Sequence, residues 1–86
     1  MKIPRKAYMT AKYLISDYGR LRLEKKSPVL CMIIEKSLEA IPTEYRKGVM
    51  DKLCYGKGFP LDASKDTYYE YCTKLVRQVA YNLNLI

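Results

Sequence analysis

Residues 27–44 read SPVLCMIIEKSLEAIPTE, and this stretch decides how the chain folds. The pair Ser27-Pro28 predicts the start of a helix, because serine is a preferred N-cap and proline fits the first helical turn. The pair Ile41-Pro42 predicts its end, because the residue before a proline is driven out of the helical region. Thr43 is then well placed to cap a following helix. Two helices separated by a sharp break are therefore predicted here.

Between the two prolines, apolar residues recur at three- and four-residue steps, which is typical of a helix with one buried face. The positions predicted to face inward are Leu30, Ile33, Ile34, Ser37, Leu38 and Ile41. Because this apolar surface is wide, we expect the helix over 28–40 to lie at the centre of the core.

The same periodicity continues on both sides of this stretch. It predicts helices over about 5–24, 28–40, 43–55 and 65–83, and no segment shows a strand pattern. Gly19 weakens the first helix near its end, where we expect fraying or a bend. The predicted fold is all-α, with about four helices in a single compact domain spanning 1–86 and a helix-turn-helix-like C-terminal half.

The connection before the last helix contains two glycines and one proline, so it is predicted to be a loop. Gly56 is placed to end the third helix in the left-handed conformation. Ser64 or Asp62 is predicted to cap the fourth helix. Phe59 and Leu61 are expected to pin the loop onto the core.

Composition argues against catalysis, metal binding and a cofactor. The chain contains no histidine, so Ser-His and Cys-His nucleophilic pairs are excluded. Its three cysteines, Cys31, Cys54 and Cys72, are odd in number and widely spaced, unlike a zinc site or a disulfide framework. The segment 56–58 (GKG) is too short for a phosphate-binding loop. We therefore expect a protein that is not an enzyme and has no cofactor.

The longest uninterrupted apolar run, over 29–34, has six residues, far fewer than the roughly 20 that a membrane span needs. The first residues also lack the apolar core of a secretory signal. These features predict a cytoplasmic protein that does not enter membranes.

The net charge of +7 is concentrated at one end of the chain. Residues 1–27 hold eight basic and two acidic residues, a balance of +6, whereas 28–55 sum to 0 and 56–86 to +1. A concentration of positive charge suits a polyanionic partner, and duplex DNA is the partner we expect first.

The candidate nucleic-acid contacts fall into two groups. The first helix and the loop would hold the phosphate backbone, and the start of the last helix would lie near bases. The predicted contact residues are Arg5, Lys6, Lys12, Tyr13, Arg20, Lys57, Lys65, Thr67, Tyr71 and Lys74. The alternative interpretations of the two groups are a solvated basic face and an ordinary helical hairpin.

The segments IEKSLEAIPTEYR at 34–46, SKDTYY at 64–69 and VAYNLNLI at 79–86 resemble phage transcription regulators of the ArpU/RinA type. These regulators carry a helix-turn-helix like that of sigma-factor region four, and the resemblance covers about residues 33–86. It implies a phage or prophage origin and a DNA-binding role in transcription. The groove-facing set that it implies is Lys65, Asp66, Thr67, Glu70, Tyr71 and Lys74.

Some features favour a second interpretation, in which a small phage protein docks on a host polymerase or defence nuclease and inhibits or redirects it. Relative to the family, the turn over 56–63 is short, and Glu70 and Cys72 stand where cations are usual. Tyr13, Tyr71 and Tyr81 are predicted to point outward, and exposed tyrosines are enriched in protein interfaces. Helix-turn-helix proteins that bind DNA often act as homodimers, so a homodimer is possible here. No predicted helix, however, shows an obvious surplus of apolar surface.

Overall fold

The computed structural model describes residues 4–59 and 64–84. These residues form five α-helices: α1 Arg5–Ser16, α2 Tyr18–Leu23, α3 Pro28–Ser37, α4 Thr43–Tyr55 and α5 Lys65–Asn82. A single 3₁₀ turn, Leu38–Ala40, follows α3. No strand occurs in these ranges, so the predicted all-α class is confirmed. The predicted positions Leu61 and Asp62 lie outside the described residues.

The helix predicted over 5–24 is in fact two helices, broken at Asp17. The Asp17 N–H donates to the Leu14 carbonyl at 3.2 Å, which tightens the last turn of α1. Its side chain then binds Arg20 in the next helix. The predicted weak point is Gly19, and the break lies two residues before it.

The boundaries around the two prolines follow the prediction in position but not in detail. Ile41 is extended, with φ −106° and ψ 133°, as expected before a proline. Ser27 precedes α3 in a left-handed conformation, with φ 47°, and its side chain makes no capping bond. Pro42 rather than Thr43 is the residue that precedes α4. The prolines thus place these helix starts without side-chain caps.

The centre of the molecule is α5, not α3 as predicted. α5 packs against α1, α3 and α4, and its buried residues are Tyr68, Cys72, Leu75, Val76, Val79 and Ala80. α3 buries only Cys31, Ile34 and Ser37. Val29 and Met32 are each 68% exposed on its other side. With 18 residues, α5 offers α1, α3 and α4 a place to pack, whereas α3 has only ten residues.

α4 lies close against α5 at a glycine. A Cβ atom at position 48 would overlap the Tyr68 ring, so only glycine allows this approach. Tyr45 packs edge-on to Tyr68, with ring centroids 5.0 Å apart. Gly56 ends α4 with φ 66°, as predicted.

A short hydrogen-bond chain joins α3 to the end of α5. Asn82 Nδ2 donates to Ser37 Oγ at 2.8 Å, and Ser37 Oγ donates to the Ile33 carbonyl at 2.7 Å. Because Ser37 is buried, these bonds satisfy a hydroxyl that would otherwise lose its hydrogen bonds to water.

Candidate nucleic-acid interface

The predicted contact residues of α1 lie in two adjacent rows. Arg5 and Lys12 are seven residues apart and so share one side of the helix, and the same spacing relates Lys6 and Tyr13. All four side chains are exposed. The first row is the one that approaches the other helices.

Arg20 is paired with two carboxylates in this fold. Its guanidinium donates to both carboxylate oxygens of Asp17, at 2.8 and 2.5 Å, and to Glu24 at 2.7 Å. The bond from Arg20 lowers the pKa of Asp17, and Asp17 in turn raises the pKa of Arg20. The three groups sum to a charge of −1, so this cluster does not add to the positive field.

The structure brings two lysines from different helices to one cleft. Lys12 from α1 and Lys52 from α4 line a concavity of about 180 Å³ beside α5. The other lining residues are Tyr8, Leu53, Tyr69, Cys72 and Thr73. We call these seven residues the cleft. No carboxylate is among the described residues that line it.

Both lysines lie close enough to the Cys72 thiol to affect its pKa. Burial raises its pKa, and the positive charges of Lys52 and Lys12 act in the opposite direction. The thiol is itself 6% exposed, so it contributes to the cleft wall rather than to chemistry.

Phe59 packs against two residues of the cleft, Lys52 and Tyr69. Its ring stacks on Tyr68 at 4.8 Å and meets Tyr69 edge-on at 5.0 Å. The Lys52 ammonium lies 5.9 Å from the centre of the same ring, within cation–π range. The loop residue predicted to pin the loop onto the core therefore also positions two of the cleft residues.

The cleft continues into an exposed strip on α5. Tyr69 and Thr73 line both the cleft and a shallow surface that also includes Lys74 and Arg77. Asp66 and Glu70 line the same surface. We call these six residues the α5 strip. The strip thus joins the cleft through Tyr69 and Thr73, and its two carboxylates cancel the charge of its own two cations.

The remaining predicted contacts are dispersed. Lys65 and Lys74 are exposed on α5, and Thr67 is half-buried, with its N–H donating to Ser64 Oγ at 3.4 Å. Tyr71 does not point outward as predicted, because its ring packs on Tyr45 at 4.7 Å. Lys57 is exposed in the loop, with its ammonium 5.8 Å from the centre of the Tyr55 ring, and it does not line the cleft.

Six of the seven cleft residues, including Lys52, Tyr69 and Thr73, are not among the predicted contacts. Lys52 follows the buried Val49 by three residues, a spacing that places it beside the buried stripe of α4. That signal shows that a lysine lies near the core, but it does not show which helices meet there.

Within 4–59 and 64–84, no group of three or more histidine, cysteine, aspartate or glutamate residues is arranged to hold a metal ion. None of the helices in these ranges is long and apolar enough to cross a bilayer. What the cleft offers is two cations, phenol and hydroxyl donors, and aromatic rings. This set can bind phosphate and stack on bases.

Comparison with protein-family models, with curated proteins and with solved structures gives no match for this chain. The similarity to ArpU/RinA-type regulators therefore stays a prediction that rests on the three segments quoted above.

Proposed function

We propose that this protein binds nucleic acid without catalysis and that duplex DNA is its principal ligand. The observation that carries the proposal is the convergence of Lys12 and Lys52 on one cleft with no lining carboxylate among the described residues. Two cations held by separate helices form a fixed site for the phosphate backbone. The cleft is too small for a duplex, so the backbone would lie across its mouth.

The α5 strip extends this contact toward the bases. Lys74 and Arg77 lie beyond Thr73 on the surface that adjoins the cleft. Glu70 on the same strip would repel phosphate, although a glutamate can accept a hydrogen bond from cytosine N4 in the major groove. Control of transcription is the role that we propose for such binding, and it rests on the resemblance to the phage regulators.

The test is a titration of fluorescent random-sequence duplex at several salt concentrations, with a variant in which Lys12→Gln and Lys52→Gln are combined. If each lysine neutralises one phosphate, the slope of log K against log salt falls by about 1.8, and affinity at low salt falls at least about tenfold.

The matched control combines Arg20→Gln with Lys47→Gln, which removes the same net charge outside the cleft. We expect the control to bind almost as the parent does, because neither Arg20 nor Lys47 lines the cleft. Equal losses in the two variants would show that only net charge matters. Absence of any complex with duplex or single strands at low salt would refute the function itself.

The alternative function is docking on a host protein, and the α5 strip favours it in one respect. Asp66 and Glu70 cancel the charge of Lys74 and Arg77 on the helix that would enter the groove. Tyr13 and Tyr81 are also 71% and 61% exposed, as an interface would need. Capture from host lysate with added nuclease separates the two functions, because a complex that survives digestion is held by protein.

A further inference from the structure

The outer side of α3 is an apolar surface that no described part of the chain covers. Val29 and Met32 are each 68% exposed, and with the half-buried Ile33 they line a shallow groove. Glu35, Lys36 and Glu39 form its polar edge. We call these six residues the α3 face. Apolar side chains grouped in this way inside a polar border are characteristic of interaction surfaces.

Charge is distributed unequally between the two ends of the segment 25–39. Lys25 and Lys26 precede α3, whereas Glu35, Lys36 and Glu39 lie toward its far end, with a balance of −1. Arg22 reaches Glu35 only at 3.9 Å, between two exposed side chains, so that pair is weak. One end of the surface is therefore basic and the other is acidic.

The helix dipole adds to the same asymmetry. The N-terminal end of α3 has no acidic residue in its first turn and no side-chain cap from Ser27. Its positive partial charge is thus uncompensated, and a carboxylate brought from outside would be stabilised there.

We propose that the α3 face binds a second copy of this chain, with the two α3 helices antiparallel and Met32 near the two-fold axis. Lys25 lies before Met32 in the chain and lines an adjoining groove that shares Met32 and Glu35 with the α3 face, whereas Glu39 lies after Met32 on the α3 face itself. An antiparallel pair therefore sets Glu39 beside the partner subunit's Lys25, and the reverse contact follows from symmetry. A parallel pair would set like charges together.

This interface is separate from the cleft, which is built from α1, α4 and α5. Because α3 has only ten residues, the buried area is at the small end of specific interfaces and the association is weak.

The first test is sedimentation equilibrium of the full chain in low salt. We expect the mean mass to rise from one chain toward two between about 10 μM and 1 mM, the range of weak interfaces. Met32→Glu should abolish this rise, and because the side chain is exposed the variant should stay folded. Met9→Glu, at another exposed methionine on α1, is the control and should associate as the parent does.

The second test is a charge exchange that fixes orientation. Lys25→Glu and Glu39→Lys should each weaken association severalfold, and the two together should restore it, because opposite charges again meet across the two-fold axis. A chain that remains monomeric at 1 mM overturns the proposal, as does association that the charge exchange fails to restore. Neither result bears on duplex binding by the monomer, so the two proposals can fail separately.

Discussion

Gly48 is a residue at which the packing leaves no room for a side chain. The Tyr68 ring occupies the space that a Cβ would need, and Tyr68 is only 5% exposed. That ring is itself held between Tyr45 and Phe59, with centroids 5.0 and 4.8 Å away. Since it cannot turn aside without disturbing two neighbours, a methyl group at 48 would push α4 away from α5.

We predict that Gly48→Ala lowers the free energy of unfolding by about 1 kcal/mol net. Overpacking a core costs about 1–3 kcal/mol, and alanine regains up to about 1 kcal/mol through its helix propensity. Urea unfolding followed by circular dichroism measures the difference. Gly58→Ala is the control, because a Cβ there meets nothing within 4 Å. A Gly48→Ala variant more stable than the parent would contradict the close approach.

At the scale of elements, two helices follow a serine, and the two serines act differently. Ser64 precedes α5 in an extended conformation, and its hydroxyl accepts from the Thr67 N–H at 3.4 Å. Ser27 precedes α3 in the left-handed region and caps nothing with its side chain. The start of α3 depends instead on Pro28, whose fixed φ suits the first turn.

Ser64→Ala is therefore expected to destabilise the chain by about 0.5–1 kcal/mol, the lower part of the range for losing an N-cap, because the bond is long. Ser27→Ala should change stability by less than about 0.5 kcal/mol, since no capping bond is lost. The same urea titration compares the two variants. A larger loss for Ser27→Ala would show that α3 is capped after all.

Protonation links several buried groups to the stability of the whole molecule. Burial raises the pKa of Cys54, of Cys72 and of Tyr18 above their ordinary values of 9.0, 9.0 and 10.0. Each group keeps its proton in the folded state to a higher pH than in the unfolded state. Their stabilising contribution is complete below the ordinary pKa values, which apply to the unfolded chain. It is lost as the pH rises from those values through the higher pKa values of the folded state.

We predict that the free energy of unfolding falls between about pH 8 and pH 10.5, and that Cys72→Ala makes this fall less steep. The slopes are compared rather than the absolute stabilities, because removing a buried side chain also costs packing. Exposed lysines are common to both proteins and cancel in the comparison. Identical slopes for parent and variant would remove Cys72 from this effect.

The Arg20 cluster is a part of the site that local sequence spacing can predict. Asp17 and Glu24 stand three residues before and four residues after Arg20, the spacings at which helical side chains meet. The sequence therefore contains the signal for the pairing of Arg20 with these carboxylates, although Arg20 is also one of the predicted phosphate contacts. Tyr71 differs, because nothing in its spacing indicates that Tyr45 would cover it.

Local pattern alone was sufficient for the all-α class and for most helix ends, because prolines, glycines and caps act on backbone angles within a few residues. It did not show that α5 is central, that α3 has an apolar side left open, or that Lys12 meets Lys52. Those facts depend on how helices of unequal length pack, which is a balance of side-chain shape and buried area between segments 40 or more residues apart.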